Sequence, residues 1–254
     1  MARLLITLRY DGTAYHGWQV QPNAVTVQEL LQDAVEKVTG ARVGITGCSR
    51  TDAGVHADMF CCALDTDSLL RGDKFASALN FHLPRDIAVY DVREVADDFH
   101  PRYHARGKRY VYRIWNGKQR HPVYDRYALH RKQPLDVEGL NRAAAEYIGT
   151  HDFAAFCAAG SDVQDTVRTV TDCRVERQGD LVLFSVEANG FLYNMVRIMV
   201  GTLLEVADGR LAARDIPAIL ASGDRGQAGP TAPAKGLCLQ TVFYDRLEQE
   251  QEGG

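Results

Sequence analysis

Nowhere in these 254 residues does an apolar run approach the length that a bilayer crossing needs. The opening, MARLLITLRYDG, has a short apolar run broken by Arg9, too short for the core of a signal peptide. The six cysteines, at 48, 61, 62, 157, 173 and 238, form no C-x-x-C pair. Neither zinc nor disulfides are therefore expected, only free and mostly buried thiols in a reducing compartment. The sequence also lacks H-x-x-H, H-E-x-x-H and any Cys/His cluster, so His16 and His56 are not read as ligands and no metal is expected. There is no Walker A loop and no G-x-G-x-x-G. GDRGQAG, Gly223 to Gly229, is a loop with no strand before it to make a phosphate cradle. The residues around Ser49 are not a nucleophile elbow. Together these absences lead us to expect an intracellular, cytoplasmic protein that uses no metal.

What is present is ordinary in bulk and uneven in detail. Hydrophobic residues make up 46% and charged residues 24%, with a formal charge of -4, enough apolar material for one large domain or two small ones. The charge is not spread evenly. The segment from Asp245 on, DRLEQEQEGG, carries four acids and one arginine, and 246–254 is expected to be a flexible acidic tail. From Arg85 to Lys132 there are twelve Lys and Arg against six Asp and Glu. At its centre, PRYHARGKRYVYR has five basic residues, three tyrosines and no acid. Cations interleaved with aromatics suit a phosphate backbone with unstacked bases. A solvated strand edge guarded by charge would carry the same pattern.

The element pattern repeats. RLLITLRY reads as a strand, and TVQELLQDAVEKVTG as a helix with a capping box from Thr26 to Glu29 and a stop at Gly40. Strands follow at ARVGIT and DMFCCAL, then a helix at DKFASALNFHLP and a strand at DIAVYDVREV. The second part repeats this order. GKRYVYRIW is a strand and PLDVEGLNRAAAEYIG a helix. A hairpin turns at Gln178-Gly179, FLYNMVRIMVGTLLEVA and ARDIPAILAS are helices, and LCLQTVFYD is the closing strand. The order β-α-β-β-α-β is the split βαβ arrangement. The expected fold is therefore α+β: two ferredoxin-like halves, 1–104 and 105–245, with mainly antiparallel sheets meeting at a central cleft, where ligands commonly bind.

A few residues could carry chemistry. Asp52 lies in the loop GCSRTDAGVHA, where Thr-Asp-x-Gly is also sound turn chemistry. Arg50, two residues earlier on an extended segment, shares its face and would keep the carboxylate ionised as a nucleophile or base. A turn salt bridge would look the same. Arg197 is the only charged side chain between Phe191 and Leu204. A buried arginine needs a partner, which could be Glu187, Glu205 or, across the cleft, Asp52. Tyr110 shares a strand face with Tyr112, either as half-buried packing or as a ring for a base. Leu237, at the end of the loop GPTAPAKGLCL, either floors a pocket or starts the core.

Five separated stretches then agree in order: RYDGTAYHGWQVQP, GCSRTDAGVHA, FHPRYHARGKRYVYRI, NGFLYNMVRIMVGTLLEV and GPTAPAKGLCL. They resemble the tRNA pseudouridine synthase A family, over essentially Leu4 to Tyr244. The resemblance implies isomerisation of uridine to pseudouridine at positions 38, 39 and 40 of the tRNA anticodon arm, with no cofactor, by a homodimer whose two subunits both touch tRNA. It implies that Asp52 is the nucleophile, with Arg50 on the same loop and Arg197 as its partner, and that Tyr110 and Leu237 line the uracil pocket. Phosphate contacts are expected from Arg102, Arg106, Lys108 and Arg109. The rival readings are a non-catalytic RNA-binding module, which leaves the Arg50, Asp52 and Arg197 set without a purpose, and a metal-dependent nuclease, which needs an acidic or histidine cluster that the sequence lacks.

Overall fold

The computed structural model describes residues 1–160 and 163–245. The expected acidic tail, 246–254, lies outside the described residues. The chain forms two compact units: Met1–Arg106 together with the chain from Cys238 on, and Gly107–Leu237.

The first unit contains β1 (Ala2–Tyr10), α1 (Val27–Thr39), β2 (Thr46–Gly47), β3 (His56–Thr66), α2 (Gly72–His82) and β4 (Ile87–Val95). Strand β1 pairs antiparallel with both β3 and β4, and β2 pairs antiparallel with β3. The spatial order β4-β1-β3-β2 is what a split βαβ generates. Leu4, Leu5, Ile6 and Leu8 of β1 are fully buried, as are Val27, Leu31 and Val35 of α1 and Phe75 and Leu79 of α2. Two helices thus cover the apolar face of one sheet. Helix α1 starts where its capping residue dictates, with the Thr26 hydroxyl accepting from Glu29 N, and it stops at Gly40, whose φ of 75° suits a residue without Cβ.

The second unit contains β5 (Ala105–Trp115), β6 (Leu129–His130), α3 (Val137–Ala145), β7 (Gly149–Asp152), β8 (Val167–Gln178), β9 (Leu181–Ala188), α4 (Met195–Ala207) and α5 (Ile216–Ser222). Strands run in the order β5-β9-β8-β7, each pair antiparallel, and β6 adds to β5 in parallel. The β8–β9 hairpin turns at the expected place, with Gly179 at φ 62°. Most of α4 is buried, from Met195 to Leu203 apart from Arg197.

Three expectations change in detail. ARVGIT forms only the two-residue β2, because after Thr46–Gly47 the chain must leave β3 to make the loop that follows. The apolar helix begins at Met195 rather than Phe191. Asn194 precedes it at φ 60°, a left-handed turn that an α-helix cannot pass through. The closing strand, β10 (Leu237–Tyr244), pairs in parallel with β3 through Cys238 and Leu239. From Cys238 the chain therefore belongs to the first unit, although the expected second half ran to 245. Among the described residues no helix is long and apolar enough to cross a membrane.

Candidate active site

The loop between β2 and β3 is built by contacts that its own residues could not make alone. Along Arg50-Thr51-Asp52, exposure alternates. Arg50 is exposed, Thr51 is buried and Asp52 is half-buried. The alternation is that of an extended segment, so both charged residues face away from the core while Thr51 faces into it. Inside, the Thr51 hydroxyl meets the Tyr10 hydroxyl at 2.8 Å. The backbone is pinned from outside by the first of the sequence stretches. Trp18 N donates to Thr51 O at 3.1 Å, and Gly54 N donates to Tyr15 O at 3.1 Å. Tyr15 in turn donates its hydroxyl to Asp86. Past Asp52 the chain closes a turn, Val55 N to Asp52 O at 3.1 Å, with Gly54 at φ 77°.

Glycines make this approach possible. A Cβ on Gly12 would stand 2.0 Å from Val55 O, and one on Gly17, itself at φ 86°, would stand 2.3 Å from Thr51 O. Gly47 leaves room for the Trp18 indole, which stacks on Phe60 at 4.1 Å between centroids. His56, considered above only as a ligand, is buried and accepts from Gly12 N through Nδ1 at 3.1 Å. Its ring fastens the same loop. The stretch RYDGTAYHGW is therefore the frame on which Asp52 is mounted. Sequence reasoning did not assign it that role, although its glycines and aromatics were conspicuous.

In the second unit, Arg197 leaves the apolar helix to grip the loop after α5. Its Nε donates to Ala232 O at 2.7 Å, and a terminal nitrogen donates to Asn194 Oδ1 at 2.6 Å. Ala232 N returns a bond to Arg197 O at 3.0 Å. The helix and this loop touch backbone to backbone. A Cβ on Gly201 would stand 1.6 Å from Pro230 O, and Gly229 N donates to the Thr202 hydroxyl at 2.9 Å. Tyr112 completes the arrangement by donating to Pro233 O at 2.8 Å, its ring packed against Gly236. Burial raises the Tyr112 pKa, and the nearby Arg197 charge works the other way. Leu237 follows at once and is buried. Tyr110 is buried too, its ring edge-on to Phe191 at 4.9 Å. The two acids considered as local partners of Arg197 are engaged by other arginines. Glu187 pairs with Arg109 at 2.7 Å, and Glu205 pairs with Arg210.

The expected phosphate contacts divide. Arg102 and Arg106 are exposed, the latter paired with Asp245 at 2.7 Å. Lys108 is buried, and Arg109 is tied to Glu187. Among the described residues no group of three or more His, Cys, Asp or Glu is arranged to hold a metal.

The fold and the loop define a class: an α+β protein with a split βαβ unit that carries a half-exposed carboxylate, with an arginine two residues away, on a hydrogen-bonded turn. The family model described as tRNA pseudouridine synthase matches residues 6–104 and 143–245. The chain is 48% identical to the tRNA pseudouridine synthase A of Thermoanaerobacter sp. (strain X514) over 244 residues, covering 96% of this chain and all of that protein. It is 47% identical, with the same coverage, to the protein of that name from Acetivibrio thermocellus. A chain of a solved Cbf5-Nop10-Gar1 complex aligns over 95% of this chain and 59% of its own, at 14% identity and a TM-score of 0.38, too remote to inform fold or function. This chain belongs to the tRNA pseudouridine synthase family. It is an isomerase that acts on tRNA.

Proposed function

We propose that the protein converts uridine to pseudouridine at positions 38, 39 and 40 of the tRNA anticodon arm, with Asp52 as nucleophile and no cofactor. The reaction transfers no electrons and no external group. It breaks the bond from the sugar to the base nitrogen, turns the base, and joins the sugar to ring carbon C5; the C5 hydrogen leaves as a proton and the freed nitrogen takes one up, so the product is an isomer. Such chemistry asks for one ionised carboxylate held against the sugar-base unit with water excluded. The observation that carries the reading is the mounting of Asp52. Backbone bonds from the Tyr15–Trp18 segment, and glycines that allow it to approach, fix the loop that presents a half-exposed carboxylate. A merely structural turn needs no such frame. Pre-positioning replaces the entropy of bringing reactants together.

In this reading Arg50 and Arg197 serve the carboxylate and the reacting nucleotide, while Tyr110 and Leu237 shape the uracil pocket. The target uridine must leave its stack, at a cost of a few kcal/mol. Phosphate contacts from exposed Arg102 and Arg106 offset that cost. Lys108, buried, and Arg109, half-buried in an ion pair, are the weaker members of the expected set; the Arg106–Asp245 pair lies in solvent, where such a pair is worth little and is readily exchanged for phosphate. The working unit is a homodimer in the cytoplasm, each tRNA meeting both subunits.

The direct test is pseudouridine mapping on an unmodified tRNA transcript incubated with this protein alone, with and without chelator. Modification at positions 38 to 40, unaffected by chelator, is expected. Modification elsewhere, or dependence on a metal, contradicts the reading. Sedimentation of the protein with and without tRNA tests the dimer.

A further inference from the structure

In the first unit, residues 99–104 form a turn that is heavily hydrogen-bonded for so exposed a segment. His100 organises it. Its Nδ1 accepts from Arg102 N at 3.1 Å and from Tyr103 N at 3.3 Å, while His104 Nδ1 accepts from His100 N at 3.0 Å. Burial, and then the Arg3 charge, lower the His100 pKa, which favours the neutral ring that can accept those bonds. The turn is anchored to the core. Phe99 is buried against the Tyr244 ring, Arg3 Nε donates to Phe99 O at 2.6 Å, and Tyr244 donates to Pro101 O at 2.7 Å.

On this anchored turn sits a ring that stands outside the hydrophobic core, with its neighbour His100 packed beside it. Tyr103 is 75% exposed. The His100 imidazole lies 4.2 Å away, its plane tilted by 32° from that of the Tyr103 ring. The Arg102 guanidinium lies 5.9 Å from the Tyr103 centroid; Arg106, three residues on, is exposed and paired with the equally solvent-facing Asp245. Phe81, also strongly exposed, meets its neighbour His82 edge-on at 85° and, among the described residues, shows no cation at its face. A flat ring on an anchored turn, with a cation beside it, matches what an unpaired nucleotide requires: a π face for the base and a positive charge for its phosphate.

We propose that Tyr103, backed by His100 and with Arg102 beside it, is a stacking platform for an unpaired base of the RNA substrate, apart from the nucleotide that reacts. This rests on the anticodon-arm reading above, since that arm ends in a loop of unpaired bases. Because the turn is already ordered, binding loses little conformational freedom there.

The test uses the full chain, an unmodified tRNA transcript, and a blunt RNA duplex of equal charge that offers no unpaired base. Tyr103→Ala is expected to weaken transcript binding roughly 5- to 150-fold at fixed salt. Its salt dependence should match the native protein's, because stacking releases no counterions. Tyr103→Phe keeps the ring and should bind as the native protein does, and duplex binding should be the same in all three. Tyr103→Trp should report the stack directly through fluorescence quenching when transcript is added. Transcript binding by Tyr103→Ala within twofold of native, or an equal loss on the duplex, overturns the platform. If the native protein modifies positions 38 to 40 while Tyr103→Ala binds normally, only the platform fails. If mapping finds no modification in that arm while Tyr103→Ala still loses transcript binding, the platform stands and the choice of arm falls.

Discussion

Tyr10 and Thr51 share a buried hydroxyl–hydroxyl hydrogen bond of 2.8 Å, one residue before Asp52. Strand β1 thereby holds the inward side chain of the loop whose outward side chains are Arg50 and Asp52. Tyr10→Phe removes the bond and keeps the ring. It should cost about 1 kcal/mol of unfolding free energy. Turnover on tRNA should fall severalfold while tRNA affinity holds. Denaturant unfolding and single-turnover assays read the two effects separately. Thr51→Ser should retain both properties, and Thr51→Val should lose turnover as Tyr10→Phe does.

Gly17→Ala presses on the same loop from the other side. The residue has φ 86°, and its new Cβ would stand 2.3 Å from Thr51 O. Gly40→Ala is the matched control, with φ 75° and nothing within 4 Å. Both variants bear the left-handed strain of roughly 1–3 kcal/mol. Only Gly17→Ala should also displace Asp52. Activity should therefore collapse in Gly17→Ala and survive in Gly40→Ala at a temperature where both are folded.

Arg197→Met keeps the apolar packing of α4 and removes the bonds to Ala232 O and Asn194 Oδ1. It should fold, by circular dichroism, and lose pseudouridine formation. Full activity in the folded variant removes Arg197 from the catalytic set. Gly201→Ala should be more severe for stability, since its Cβ would stand 1.6 Å from Pro230 O, a backbone atom that can yield only if the loop moves.

The thiols offer a test of the packing. Cys48, Cys61, Cys62, Cys173 and Cys238 are buried, while Cys157 is half-buried. Burial raises the pKa of Cys61, Cys62 and Cys173, and the thiolate is the reactive form. A disulfide reagent should label one thiol per chain quickly, at Cys157, and the other five only in denaturant. Fast labelling at Cys61 or Cys62 would contradict the buried face of β3.

Local features were the most legible in the sequence. The Thr26 cap, the Gly40 stop and the Gly179 turn are each decided by a few neighbouring residues, and each stands where the residue types require. Fold class followed from the order of such elements. Partners distant in the chain were not legible. Nothing near Leu237 announces that Cys238 pairs with His56, because strand register is set by the burial of a whole face rather than by one dipeptide. The site divides in the same way. Arg50 and Asp52 could be singled out from their spacing. The frame of Gly12, Gly17, Tyr10 and His56 could not, because its function is contact with residues roughly 30 to 45 positions away in the chain. Arg109 read as a free cation until strand pairing set it beside Glu187.

The most direct test of the account is tritium release from 5-tritiated uridine in tRNA, comparing the native protein with Asp52→Asn. The variant changes one oxygen to nitrogen on an intact loop. It should bind tRNA with native affinity and lose turnover by roughly ten-thousandfold or more. Release near the native rate from folded, tRNA-bound Asp52→Asn would contradict the assignment of the nucleophile and the catalytic scheme built on it.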